Sequence, residues 1–340
     1  MSHYVVSDGA GFSGIWKLVL WNEGFLFIDL IVSARKSGNL PVTKRGKTRD
    51  LIEYLAARLG CALLTPWPPE ASARLSRTVA GPVLYAVLRR ARRHGRSSLD
   101  TAFRIDLGKE EKRRILQRMF RHLAQNATEF VFYSSSTATP PTLRMDDASR
   151  QVLDEINRTA APVIFVTAHL GNWELFGLTG GGVSLPLNTV ARPLDNARLN
   201  RWITSRRERG PQRMCPARGA PAVLTKAIRR GEAVVLLADQ NQKKHGVFVS
   251  FFGRAAATTP TPALLSLRTG APVVAACLVR DGGPLAFRAY FAPPIYPHPD
   301  GPLDVEIRRI TQTFTETLEN WIRQYPDQWL WSHRRWRTQP

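Results

Sequence analysis

The chain of 340 residues carries 48 Lys and Arg against 27 Asp and Glu, a formal net charge of +21 at pH 7. This length allows one large domain or two smaller ones, and the charge favours an anionic partner: nucleic acid, an anionic membrane or an acidic carrier protein. The three cysteines (Cys61, Cys215, Cys277) are far apart and lack metal-ligand spacing, which gives no support for a disulfide framework or a zinc site. We expect no metal and no redox cofactor.

Residues 1–48 are predicted to be an N-terminal extension. The most apolar stretch, residues 15–32, is interrupted by four polar residues: Lys17, Asn22, Glu23 and Asp29. Because no run of 18 uninterrupted apolar residues exists, a spanning helix is not expected. The start also lacks the pattern of a secretory signal, which predicts a cytoplasmic protein. The extension fits either a peripheral membrane anchor or partial disorder.

Residues 49–133 are predicted to be a helical, basic part of the chain. In segments 84–93 and 111–121, apolar residues lie beside basic ones at helical spacing. Helices that lie on an anionic surface have this pattern, and so do the solvated faces of core helices. The Ser-, Thr- and Pro-rich segment 134–141 is the clearest linker, and it separates this part from residues 142–340.

The second part alternates predicted strands with helices. Such alternation indicates helices packed on a mixed sheet. The last helix, residues 303–323, has an apolar stripe that is most simply a core face. We therefore predict one α/β domain, with a mixed, mostly parallel sheet flanked by helices and a helical N-terminal elaboration. The predicted strands cover residues 163–166, 189–191, 233–237, 273–279 and 287–291.

The first of these strands leads into a candidate catalytic histidine. His169 follows the apolar run, and the carboxylate of Glu174 comes five positions later, after Asn172, a predicted helix N-cap. Open α/β sheets form their ligand crevices at the carboxyl ends of strands. Histidine suits general-base work near neutral pH, and a neighbouring carboxylate can orient its ring. A structural histidine at a strand end is an equally weighted alternative.

Further polar residues follow later strands. Asp239 and Gln240 end the run that begins at 233, so they too are expected at a strand's carboxyl end, although Asp239 could simply cap a turn. Residues 251–254 are predicted to be a loop whose aromatics could form core or line an acyl channel. Arg254 is the better candidate there for binding an anionic head group.

The closing segment, residues 329–337, interleaves tryptophans with arginines. Such a pattern could stack on nucleic-acid bases, lie at a lipid interface or cover the core.

The chain resembles the bacterial lipid A biosynthesis (lauroyl/myristoyl) acyltransferases, a family that includes the mycobacterial phosphatidylinositol mannoside acyltransferases. Segments in the family's order and approximate spacing carry the resemblance from about residue 50 to the C-terminus. Many relatives have a membrane-anchoring N-terminal helix, a pattern from which this chain departs. The matching segments are Ala-His-Leu-Gly-Asn-Trp-Glu at 168–174, Ala-Arg-Pro-Leu-Asp-Asn at 191–196, Leu-Ala-Asp-Gln at 237–240, Val-Ser-Phe-Phe-Gly at 249–253, Thr-Thr-Pro at 258–260, Thr-Gly-Ala-Pro at 269–272, and residues 325–336.

The resemblance implies a glycerolipid acyltransferase-like fold and roles for several residues. His169, oriented by Glu174, would deprotonate a hydroxyl that attacks a fatty acyl thioester on acyl carrier protein or coenzyme A. The negative charge that develops on the thioester oxygen needs preorganised donors. The backbone amides of Gly171 and Asn172 are one candidate and Arg192 is another, although Arg192 could instead clamp a phosphate. Asp239 and Gln240 would lie near the active site.

The leading hypothesis is an acyltransferase, peripheral to the cytoplasmic face of the inner membrane, that esterifies a lipid A precursor or a similar glycolipid. One alternative changes the acceptor to a phosphatidylinositol mannoside. An alternative of another class is a non-catalytic basic protein that binds anionic membrane or nucleic acid; under the family resemblance, nucleic acid is not an expected partner. The substitution His169→Ala would abolish acyl transfer in the first class and leave binding unchanged in the second.

Overall fold

The computed structural model describes residues 47–64, 66–135, 141–191, 193–283 and 285–340. Residues 1–46 of the predicted extension lie outside the described residues. So do residues 136–140 of the predicted linker, and so does Arg192. Within the residues that the structure describes, no helix combines the length and apolar character needed to cross a membrane.

The centre of the fold is a seven-stranded sheet with the order β1-β9-β8-β2-β5-β3-β4. Neighbouring strands are parallel except for the antiparallel pair of β8 and β9. The predicted mixed, mostly parallel sheet is therefore confirmed. Strands β6 and β7 form a separate antiparallel hairpin. The strands are β1 Leu143–Arg144, β2 Ile164–Thr167, β3 Leu187–Ala191, β4 Gln212–Pro216, β5 Ala233–Leu237, β6 Val247–Phe251, β7 Arg254–Thr258, β8 Val273–Arg280 and β9 Phe287–Phe291.

Helices surround the sheet and fill most of the N-terminal part. Helices α2 and α3 are joined without a break by a π-helical turn, Ser76–Ala80. Among the described residues the α-helices are α1 Lys47–Leu64, α2 Pro69–Leu75, α3 Gly81–Val87, α4 Arg89–Ala102, α5 Lys109–Tyr133, α6 Asp147–Thr159, α7 Trp173–Thr179, α8 Ala197–Arg207, α9 Ala220–Arg229, α10 Thr261–Thr269 and α11 Leu303–Gln324.

The central strands are apolar along their whole length because helices cover both faces of the sheet. All four residues of β2, all five of β5 and all eight of β8 are buried. One continuous hydrophobic cluster runs from the N-terminal helices, at Leu99 and Phe120, to these strands. Cys277 lies fully buried within β8, as predicted.

The C-terminal segment covers the core. Trp329 and Trp331 are almost completely buried, and their rings meet edge to face with centroids 4.6 Å apart. Trp329 also packs against Phe251 of the β6–β7 hairpin. These two tryptophans are therefore not available to stack on bases or lie at a lipid interface, and Phe251 belongs to the core.

Candidate active site

Two neighbouring parallel strands bring His169 and Asp239 together. Thr167, the last residue of β2, is in register with Leu237, the last residue of β5. Each candidate residue lies two positions beyond its strand, so the two side chains meet at the same edge of the sheet. The ring Nδ1 of His169 lies 2.8 Å from Oδ1 of Asp239, and the backbone amide of His169 donates to Oδ2 at 2.8 Å.

The environment keeps Asp239 ionised. Burial by itself would raise the pKa of this carboxyl group, but the charge of His169 and hydrogen bonds from His169 and Trp329 outweigh burial and lower the pKa to about 2. The Trp329 indole Nε1 donates to Oδ2 at 2.8 Å. Because Nδ1 carries the proton and donates a hydrogen bond to Asp239, Nε2 is the basic nitrogen of the His169 ring. An ionised partner would also stabilise the imidazolium that forms when Nε2 accepts a proton.

Gln240 lies on the other side of the ring. Its side-chain nitrogen is 3.3 Å from Nε2 of His169, and it donates to Nε2 in this tautomer. Gln240 and His169 are both buried. The structure thus brings three of the predicted site residues into direct contact.

A second histidine, His333, is partly buried and lies within electrostatic range of Asp239 and His169. His333 is held at a pKa of about 3, chiefly by burial, with Asp239 acting in the opposite direction and the charges of His169, Arg335 and Lys243 adding to the lowering. It is therefore neutral at pH 7. Its Nδ1 is buried and has no hydrogen-bond partner among the described residues.

Glu174 does not hold the His169 ring, which corrects the sequence-based prediction. Both of its carboxylate oxygens accept from the Arg207 guanidinium, at 2.8 and 2.9 Å. The physical reason is position: Glu174 lies in the first turn of α7 and faces α8, whereas Asp239 follows β5, the strand beside that of His169. Glu174 therefore ties α7 to α8 through a buried, bidentate ion pair.

The backbone amides of Gly171 and Asn172 are already engaged, so their predicted role as oxyanion donors is wrong for this geometry. The Gly171 amide donates to the Gln328 carbonyl at 3.1 Å, and the Asn172 amide donates to the Leu278 carbonyl at 2.8 Å. The Asn172 side chain accepts from the Leu175 amide at 3.1 Å and so caps α7, as predicted. Gly171 has φ +62°, and a Cβ there would lie 2.1 Å from the Leu278 oxygen.

A buried ionic network, which was not predicted from the sequence, supports the loop that follows His169. The guanidinium of Arg280, at the end of β8, forms an ion pair with Glu129 of α5 and donates to Asn126 Oδ1 at 2.8 Å. Glu129 Oε2 accepts from the Asn172 side chain at 2.8 Å, and the Asn126 side chain donates to the Gly171 carbonyl at 2.6 Å. The Arg280–Glu129 ion pair therefore supports both residues of the loop: Gly171 through Asn126, and Asn172 through its own side chain.

The remaining predicted site residue lies elsewhere. Arg254 begins β7 at the turn of the β6–β7 hairpin, where its side chain is exposed. At the other end of β7, about 13 Å along the strand, Thr258 accepts from the buried guanidinium of Arg335. Arg335 also donates to the Ala257 carbonyl at 2.7 Å. The structure does not bring Arg254 to His169.

This geometry defines a class of site: a buried histidine, held by an ionised carboxylate, at the carboxyl edge of a mostly parallel sheet. It can activate a hydroxyl or a water molecule. The model of the bacterial lipid A biosynthesis acyltransferase family matches residues 43–338. The chain belongs to that family.

Curated relatives are similar at modest identity. The chain is 27% identical over 180 residues to the lipid A biosynthesis palmitoleoyltransferase of Escherichia coli (strain K12), covering 52% of this chain and 56% of that one. It is 26% identical over 177 residues to a phosphatidylinositol mannoside acyltransferase of Mycolicibacterium smegmatis, covering 51% and 56%. It is 28% identical over 178 residues to the E. coli lipid A biosynthesis lauroyltransferase, covering 52% and 55%. The chain thus spans about half the length of the curated relatives it matches.

Proposed function

We propose that the chain is an O-acyltransferase that moves a fatty acyl group from a thioester to a hydroxyl of a lipid A precursor or a similar glycolipid. The observation that carries the proposal is the His169–Asp239 pair, which leaves Nε2 of the ring as a base at the edge of the sheet. The family and the names of its curated members support acyl transfer as the reaction. In this proposal Glu174 has a structural role: its ion pair with Arg207 holds α7 against α8.

The reaction follows from that pair. His169 Nε2 takes the proton of the acceptor hydroxyl while the oxygen attacks the thioester carbonyl and forms a new C–O bond. Asp239 stabilises the imidazolium during this step. Collapse of the tetrahedral intermediate breaks the C–S bond, and the imidazolium returns the proton to the leaving thiolate. The products are an ester and a free thiol, and His169 is again neutral.

The tetrahedral oxyanion needs a donor other than the two amides predicted from the sequence. The side-chain amide of Gln240, 3.3 Å from Nε2, is one candidate because it lies beside the reacting nitrogen. Arg192 keeps its predicted role as oxyanion donor or phosphate clamp.

The donor's carrier is either acyl carrier protein or coenzyme A, both of which are anionic partners suited to a chain of charge +21. For the acceptor, phosphatidylinositol mannosides are the second candidate, because a relative of that name is nearly as similar as the lipid A enzymes. The cytoplasmic face remains the prediction made from the sequence. Placement at the membrane surface is supported by four exposed apolar residues spaced four apart from α2, through the π-helical turn, to α3. These are Leu75, Val79, Val83 and Val87, with exposed fractions between 42% and 61%.

The test is lipid mass spectrometry after the full chain is incubated with an acyl-acyl carrier protein or acyl-coenzyme A and a panel of acceptors. The panel contains lipid A precursors, phosphatidylinositol mannosides and lysophospholipids. We expect one acceptor to gain the mass of a single acyl chain, and His169→Ala to abolish the gain. If no acceptor gains mass, and wild type and variant bind lipid or nucleic acid alike, the chain is a non-catalytic binding protein.

A further inference from the structure

A groove of about 860 Å³ opens between α1 and α8, at the C-terminal end of α5. Its volume falls within the range of roughly 300–1,000 Å³ that is usual for sites of small ligands. Ile52, Leu55 and Leu59 of α1 line it, and their exposed fractions are 63%, 53% and 62%. Apolar side chains this exposed and this close together mark a surface that a partner or ligand covers.

Two arginines, Arg58 and Arg206, line the groove, and a third, Arg209, lies beside Arg206. The guanidinium of Arg206 lies 5.1 Å from the ring centroid of Trp202, a residue of the groove wall, and that of Arg58 lies 5.9 Å from it. Arg209 follows α8 and donates to the Ser134 carbonyl at 2.6 Å. Burial lowers the pKa of Arg206, and the neighbouring charges of Arg209 and Arg58 lower it further.

These arginines are not neutralised within the part of the chain that the structure describes. No described carboxylate forms an ion pair with Arg58, Arg206 or Arg209. Glu53 of α1 accepts from the side chain of Asn196 at 3.2 Å. A cluster of like charges beside an apolar wall is favourable only where an anion joins it.

We propose that this groove is a binding site for an anionic, phospholipid-type amphiphile. Its alkyl chain lies along Ile52, Leu55 and Leu59, and its phosphate accepts from the arginines, whose forked donors match phosphate oxygens. The site goes beyond the proposed function, because none of its residues belongs to the His169–Asp239 pair. It adjoins the Glu174–Arg207 ion pair in the chain, because Arg206 of the groove precedes Arg207.

Charge argues against two other occupants. A second copy of the chain also carries +21, so its approach to these three arginines is opposed by repulsion. The chain's own residues 1–46 contain five Lys and Arg against three Asp and Glu, so that segment adds positive charge as well. A lipid phosphate supplies the missing negative charge together with the apolar chain.

The test measures binding of dodecyl phosphate, below its micelle concentration, to the full chain by titration calorimetry. The variant Arg58→Gln/Leu59→Gln changes one cation and one apolar wall residue. The matched control, Val223→Gln/Arg229→Gln, makes the same kinds of change on the exposed face of α9. We expect the groove variant to lose about tenfold or more in affinity and the control to bind as wild type does.

Three ligand comparisons identify what is bound. Dodecyl maltoside, which has the chain without the charge, should bind at least about tenfold more weakly. Inorganic phosphate at the same concentration should not compete. Cys61 lines the groove and is half-buried, whereas Cys215 and Cys277 are buried, so dodecyl phosphate should slow alkylation of Cys61.

Equal affinity of wild type and groove variant for dodecyl phosphate would overturn the proposal, and so would equal affinity for dodecyl maltoside or full competition by inorganic phosphate. A dimer of the wild type that the groove variant dissociates would assign the groove to a second copy instead. If the groove variant binds no ligand and also loses much of its thermal stability, the groove packs against another part of the same chain instead. Binding by His169→Ala should equal that of wild type, so the result does not depend on whether acyl transfer is found.

Discussion

The ion pair between Arg280 and Glu129 gives the most specific prediction for stability. The Arg280 side chain is 3% exposed and that of Glu129 is fully buried. The substitution Arg280→Met leaves the Glu129 carboxylate with the Asn172 amide as its remaining hydrogen-bond partner and also removes the donor to Asn126. Losing one partner of a buried pair costs about 3–5 kcal/mol, because the other charge stays desolvated.

For a chain of this length, such a loss lowers the midpoint of thermal unfolding by about 4–7 °C, at about 2.1 cal/mol/K of unfolding entropy per residue. The assay is reversible urea unfolding followed by tryptophan fluorescence. The control is Arg288→Met, which breaks a half-exposed pair with Asp281 and should cost about 1 kcal/mol or less.

The double variant Glu129→Gln/Arg280→Met tests the mechanism. Because it leaves no unpaired buried charge, its loss of stability should be smaller than the sum of the two single losses. A loss below about 1 kcal/mol for Arg280→Met, or strictly additive losses, would show that this ion pair does not stabilise the fold through its buried charges.

Three further changes have expected outcomes. Glu174→Gln removes the negative charge that accepts from the buried Arg207 and should lower the free energy of unfolding by about 1–3 kcal/mol, measured by urea denaturation; an unchanged value would contradict the structural role. Gly171→Ala brings a Cβ against the Leu278 carbonyl at positive φ, so circular dichroism melts should show a lower midpoint, whereas an unchanged midpoint would mean that the loop adapts freely. The pKa of Asp239 is lowered from 3.8 to about 2, so this residue contributes about 2 kcal/mol to the free energy of unfolding above pH 4, and the contribution is lost as the pH falls towards 2. The free energy of unfolding of Asp239→Asn should therefore depend less on pH across this range than that of wild type. Equal slopes for the two proteins would contradict the lowered pKa.

The sequence predicted the interior of the sheet better than its edges. Strands β5 and β9 agree with the prediction to the residue. Strand β4 was not predicted, since Gln212–Pro216 alternates between buried and exposed positions at the edge of the sheet and ends in proline. Residues 251–254, predicted to be a loop between strands, contain the turn of the β6–β7 hairpin, whose ladder of five residue pairs was not predicted.

For the site, the histidine could be found from the sequence and its partner could not be assigned. His169 and Glu174 are near in sequence, but the sheet places Asp239, 70 residues away, against the ring. The available signal was that each polar residue follows a buried strand by the same two positions. The engagement of the Gly171 and Asn172 amides depends on tertiary contacts that no local pattern encodes.

The most direct test of the proposed chemistry compares the rate of acyl transfer in Asp239→Asn with that in Glu174→Gln, at saturating donor and acceptor. The structure predicts a fall in kcat of about 10²–10⁴-fold for Asp239→Asn, because the ring loses the carboxylate that orients it and stabilises its charged form. Glu174→Gln should stay within about tenfold of wild type, since it bonds Arg207. A large loss in Glu174→Gln with near-normal turnover in Asp239→Asn would contradict the account and restore Glu174 as the partner of His169.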